Sequence, residues 1–348
     1  DFSDTEILII EWTHGNSDNY KGVDIPVLLN STPQETMAHR KARNRDGAVD
    51  SPFTTMVLEL EQDMLEINNQ RTTFALEQVN QDLKVCLPLQ DLAQQRRLLQ
   101  RSNEMYQNFL QAERSPVQQL AFEQHAFDMA QHPTIQQSHF EQLALRDQYL
   151  LKHQGQAYVE LIDGGQDGLH YRRSPEYLAK VFAPYMPEAE RVFIENLAQQ
   201  NLQPAFRDQS LLIDAPETAR RALFWEDYLQ KYPKSSYLQD AQQLLYQYKV
   251  FLFKGLKDTP VSSSYAGRLD VQAGAAEEMQ RIAKLKDSTL ALQAGRFLHF
   301  LEMNPEQRLQ AAGGQSGLSP WQQLELHLNL RSPAPRYKKD CFSDAVCR

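Results

Sequence analysis

The chain has 348 residues, 41% hydrophobic and 23% charged, enough apolar content to bury a core and too much for wholesale disorder. Its 36 basic and 45 acidic side chains leave a net charge of −9, which sets nucleic acid aside as a partner because that class shows a basic footprint. Glycine, at 14 residues, is scarce while Gln and Leu are abundant; this disfavours phosphate-cradling loops and turn-rich all-β folds and favours helices.

Residues 1–50 read as an N-terminal strand plus a linker. The strand signal is Glu6–Trp12, and residues 31–50 carry almost no large apolar side chain. The basic cluster His39, Arg40, Lys41, Arg43 and Arg45 is read as a solvated, protease-sensitive loop, the alternative being an anionic partner. No apolar run is long enough to span a membrane. The chain begins at Asp1, so either a leader has been removed, with room for a lipid anchor on it, or the chain has been cut back.

Residues 51–154 read as a helical hairpin domain. Ser51-Pro52 is a helix start, a hydroxyl cap followed by proline in the first turn. Phe53, Val57, Leu60, Met64 and Ile67 recur at helical spacing, and Leu58, Leu65, Leu76, Val79 and Leu83 supply a second stripe. Together they predict one long amphipathic helix stopped by Pro88. A second helix follows with Leu92, Leu99, Tyr106 and Phe109 on one face, giving an αα-hairpin. Ser115-Pro116 starts a third with Val117, Leu120, Ala121 and Phe127 inward, Pro133 interrupts, and Ile135–Leu151 predicts a fourth.

Residues 155–173 predict a β-hairpin connector, alternating segments around the turn Asp163-Gly-Gly-Gln-Asp-Gly168. Residues 174–330 return to helical texture, with candidate helices at 214–232, 235–256, 275–285, 288–303 and 319–330. Ser-Pro recurs at 51–52, 115–116, 174–175 and 319–320, one device repeated along a succession of stacked helices. Residues 331–348 form a tail in which Cys341 and Cys347 read as a disulfide, the alternative being two free thiols. Cys86 reads as a buried free thiol, although pairing with a tail cysteine stays open.

One stretch, Ala222–Tyr248, carries a family pattern. Trp225, Tyr228 and Leu229 share a face of a first helix, which Tyr232-Pro233 ends. Ser235 or Ser236 opens a second helix, whose inner face is Tyr237, Ala241, Leu244 and Leu245, and small Ala241 lets the two approach. With Tyr228, Leu229, Tyr232, Pro233, Ser235, Tyr237, Asp240 and Ala241, the stretch resembles tetratricopeptide-type repeats of bacterial envelope proteins, namely outer-membrane assembly lipoproteins and coordinators of the Tol–Pal system. The resemblance implies antiparallel helix hairpins stacked in an array, and binding rather than chemistry.

Catalytic signatures are absent from the sequence: there is no G-x-S-x-G, Walker A, H-E-x-x-H or G-x-G-x-x-G, and Gly313–Gly317 reads as a loop. Asp163–Gly168 lacks the alternating ligands of a calcium loop. His125, His132 and His139 stand seven apart, but Pro133 breaks their helix. The acid pairs Glu59/Asp63 and Glu188/Glu190 are expected on helix surfaces. Trp225, Tyr228, Tyr232, Tyr237, Tyr246 and Tyr248 read as the core of a helix pair, or with Tyr228, Tyr232 and Tyr237 lining a peptide groove. Arg172 and Arg173 are candidates to grip a partner's carboxylate or phosphate, the alternative being an exposed strand end. The expectation is a mainly α, non-catalytic, exported scaffold, periplasmic or outer-membrane-associated, that binds an envelope protein or peptide and needs no cofactor. A cell-wall processing enzyme and an inhibitor of a foreign lytic enzyme are the alternatives.

Overall fold

The computed structural model describes residues 52–131, 137–333 and 339–348. The expected strand at residues 5–12, the linker at 31–50 with its basic cluster, and Pro133 lie outside them. The chain divides into two units, Asp1–Thr55 and Met56–Arg348, and everything below concerns the second. It is mainly α-helical with a small antiparallel β-hairpin. Among the described residues no helix is long and apolar enough to cross a membrane.

The first helical stretch is two helices, not one. α1 (Pro52–Glu66) and α2 (Thr73–Cys86) are separated because the apolar stripe lapses after Ile67 into Asn-Asn-Gln-Arg-Thr. Asn68 folds that segment into a turn, its Oδ1 accepting from the Gln70 amide at 2.9 Å. Thr72 then caps α2, its Oγ1 accepting from the Ala75 amide at 3.3 Å. Val57, Leu60, Met64, Leu76, Val79 and Leu83 are buried, whereas Leu58 and Leu65 face solvent; the second stripe belongs to two helices with different inward faces. α3 (Leu92–Phe109) is capped by Asp91, which accepts from the Gln94 amide at 2.9 Å. Asn80 on α2 donates to the Tyr106 hydroxyl at 3.0 Å, and that hydroxyl donates to the Ala157 carbonyl at 2.7 Å. One buried chain of hydrogen bonds therefore fixes α2, α3 and the approach to the hairpin.

α4 (Pro116–Gln131) buries Ala121, Phe122, Ala126 and Met129. Val117 and Leu120, expected inward, are exposed, because the inward face runs through Phe122 instead. The helix expected over 135–151 is described as two pieces, α5 (Gln137–Phe140) and α6 (Leu145–Lys152). The hairpin is β1 (Val159–Asp163) paired antiparallel with β2 (Leu169–Arg173), Leu161 opposite Tyr171, and both pack on the α4 cluster.

α7 (Glu176–Val181) and α8 (Glu188–Leu202) follow, then a short strand pair, β3 (Phe206–Arg207) with β4 (Ser210–Leu211). α9 (Ala215–Lys231) and α10 (Leu238–Phe253) are packed as a pair, and α9 also packs on α11 (Ala273–Ile282) and α12 (Thr289–Glu302). Buried Glu226 of α9 accepts from Ser288 Oγ at 2.5 Å, from the Leu290 amide at 2.9 Å and from Thr289 Oγ1. It thereby satisfies the open N-terminus of α12. α13 (Pro305–Ala311) and α14 (Pro320–Leu328) close the helical part, each with a capping box, from Asn304 and Ser319.

Candidate functional site

The Tyr-Pro helix pair is built around Trp225. Its ring is fully buried against Phe193, centroids 5.2 Å apart, and its Nε1–H donates to Gln200 Oε1 at 3.1 Å. Ala241 and Leu244 are buried, while Leu229 and Leu245 are half-buried. Tyr228, a candidate for the groove, is buried; its hydroxyl donates to the Ala189 carbonyl at 2.8 Å and lies 2.7 Å from Ser235 Oγ. Burial pushes its phenol up to about 12. Tyr237 stacks on Phe193 at 4.4 Å, and Tyr232, half-buried, donates to Glu188 Oε1 at 2.9 Å. These three tyrosines knit α8 to α9 and α10.

Arg172 and Arg173 are likewise consumed internally. Arg172 pairs with Glu160 at 3.3 Å and donates to the Ser343 carbonyl at 3.4 Å. Arg173 is buried and pairs with buried Asp344 at 2.7 Å; it also donates to Asn103 Oδ1 at 2.7 Å and lies over the Tyr177 ring at 4.6 Å. The expectation of a free grip fails because the tail folds back onto the strand end. A disulfide joins Cys341 to Cys347. Asn201 donates to the carbonyls of Cys341 at 2.9 Å and Asp344 at 2.5 Å, and Phe342 sits edge-on to Phe206, centroids 5.1 Å apart. Arg348 also bonds Asp344. Cys86 is a free, buried thiol, pushed up to about 11 by burial.

The remaining sequence candidates are structural. His125 and His139 stack at 4.0 Å, and His132 lies outside the described residues. Among the described residues no group of three or more His, Cys, Asp or Glu side chains converges to hold a metal ion. The Asp163 turn is closed by its own chain, Oδ1 accepting from the Gly165 amide at 2.9 Å. Glu190 bonds Arg96 and is buried.

A cavity of 520 Å³ opens elsewhere, between the end of α10, the segment 255–265 and the start of α14. Its wall includes Val250, Lys254, Lys257, Ser262, Tyr265 and Trp321, and among the described residues no acidic side chain lines it. Gly255 makes the turn that shapes it: at φ +75° a Cβ would meet the Thr259 carbonyl at 2.2 Å. Asp270 holds the serine run from behind, accepting from Ser262 Oγ at 2.5 Å, Ser264 Oγ at 2.7 Å and Ser263 Oγ at 3.1 Å. Those bonds hold its carboxyl far below the usual carboxylate range. The Ser262 hydroxyl then accepts from the Tyr265 amide at 2.8 Å, and buried Tyr265 donates to the Phe253 carbonyl at 3.1 Å. Lys254 Nζ stands 5.2 Å from the centre of the Trp321 ring. The arrangement offers an apolar, aromatic interior with two cations beside it, which suits binding. The sequence expectation placed no site there, the segment lying between the candidate helices 235–256 and 275–285. The available signal was Trp321 immediately after a Ser-Pro helix start, with Lys254 and Lys257 flanking a glycine.

No established protein family matches the chain, and no solved structure matches it. Over 67 residues, 19% of the chain, it is 54% identical to a bifunctional alpha-galactosidase/sucrose kinase of Mediterraneibacter gnavus. The chain spans 7% of that protein's length, a similarity too short to carry an activity across.

Proposed function

We propose that the chain is a non-catalytic interaction scaffold of the bacterial cell envelope that binds a protein or peptide partner at the 254–265/319–321 cleft. The cleft carries the reading: an aromatic wall with cations beside it, set between helix ends, is a surface suited to holding a ligand. The helix pair α9/α10 packed on α11 and α12 supports a tetratricopeptide-like array behind it. The envelope location rests on the resemblance of Ala222–Tyr248 and on the disulfide of the tail, since such bonds persist in oxidising compartments.

A photo-crosslinker at Ser263, exposed beside the cleft, tests this in envelope extracts. A discrete adduct is expected, lost when Trp321 is changed to Ala and absent with the crosslinker at exposed Leu58. Equal adducts from Ser263 and Leu58, or an adduct indifferent to Trp321→Ala, would remove the cleft from the binding function.

A further inference from the structure

We propose that the cleft recognises an extended peptide segment in which acidic side chains flank an apolar one, the acids meeting Lys254 and Lys257 and the apolar side chain entering against Trp321. This rests on the scaffold reading and names its ligand.

Charge comes first. The chain carries a net charge of −9, yet among the described residues two lysines and no carboxylate line this cavity. Both lysines are exposed, so their charge is presented to an incoming ligand rather than spent inside the fold. The Trp321 ring beneath Lys254 Nζ favours holding that ammonium beside the cleft. A ligand bearing negative charge is drawn toward such a site and a cationic one is turned away.

The inner wall then decides the rest of the ligand. The hydroxyl protons of Ser262, Ser263 and Ser264 are directed at Asp270, and the Tyr265 hydroxyl is given to Phe253. These donors are turned away from the ligand, leaving Val250, Leu256, Pro260, Pro320 and the Trp321 ring as the apolar surface. A phosphate would want converging amides or an arginine fork, and among the described residues no arginine lines the cavity. Two flexible point charges beside an apolar wall suit separate carboxylates carried near an apolar group, as neighbouring side chains of a peptide carry them. The volume of 520 Å³ lies within the range of sites that enclose a ligand of a few residues' size.

The probe is a fluorescein-labelled synthetic peptide alternating Glu with Leu and Pro, beside a copy in which every Glu is Gln, both read by anisotropy against the full chain. The Glu peptide is expected to bind, to weaken about tenfold in its Gln form or on the Lys254→Glu/Lys257→Glu chain, and to weaken as salt is raised. Because both lysines are exposed, the double variant should keep the wild-type circular dichroism and melting temperature, and Lys254→Gln/Lys257→Gln gives a second chain should the reversed charges disturb folding. Equal binding of the Glu and Gln peptides, or of the wild-type and both lysine-variant chains, overturns the proposal. So does displacement of the peptide by inorganic phosphate or by anionic-lipid vesicles at comparable concentration. If the Ser263 adduct depends on Trp321 while the acidic peptide fails, the scaffold reading stands and the ligand assignment falls; if both fail, the cleft is not the binding site.

Discussion

Asp344 is the side chain on which the C-terminal tail depends. Changing it to Ala removes the carboxylate from Arg173, whose side chain is 0% exposed against 1% for Asp344. The guanidinium keeps Asn103 at 2.7 Å and Ser102 at 3.3 Å but loses its countercharge. Leaving one member of a buried pair unpartnered costs about 3–5 kcal/mol. The loss should be larger in Asp344→Ala than in Arg172→Ala, because Arg172 reaches Glu160 at 3.3 Å in a less buried setting. Urea unfolding followed by circular dichroism gives each value, and a cycle with Arg173→Met and the double variant isolates the coupling. The double variant should regain part of the loss, since it leaves no unpaired Arg173 charge behind while half-buried Arg348 still loses its Asp344 bond. A loss in Asp344→Ala below about 1 kcal/mol, the scale of a solvent-exposed pair, would refute the burial of this contact.

Glu217 provides a pH prediction. Hydrogen bonds from Arg220 and then Arg221 hold its carboxyl down to about 2; a depressed folded value contributes stability above the ordinary carboxylate range and loses it as pH falls. Thermal melts should therefore show that contribution fading between about pH 5 and pH 2, and Glu217→Gln should flatten the slope there; an unchanged slope would count against the pairing. Cys86 should resist iodoacetamide at pH 8 in the folded chain and react once it is unfolded, because its thiol is buried and pushed up to about 11; rapid native labelling would contradict that burial. Trp225→Ala should cost about 3–5 kcal/mol through cavity formation, and Ala241→Leu about 1–3 kcal/mol through overpacking. A Trp225→Ala chain that melts like wild type would show that the ring is not in the core.

The parts of the fold legible in the sequence are those whose signal is local. Ser319-Pro320 reads as a helix start because the hydroxyl accepts from an amide three residues on and proline costs nothing at the first helical position, and the structure has that cap. The Ala222–Tyr248 segment reads as a helix pair because its aromatic spacing and its Tyr-Pro stop lie within one window. The long first helix failed for a related reason: spacing carried Ile67 onward to Leu76, while the Asn68 turn between them depends on a side chain reaching its own backbone. The destiny of Arg173 was illegible because its partner is 171 residues away. A basic strand end looks free until a distant carboxylate folds onto it. The cleft was hidden twice over, since Lys254 and Trp321 lie 67 positions apart in the chain and the serine run between them resembles an unstructured linker. What orders that run is Asp270, six to eight residues further on. A linker-like stretch rich in serine therefore deserves a search for a nearby acid before it is read as a break, for a single carboxylate accepting several hydroxyls is enough to make it a wall.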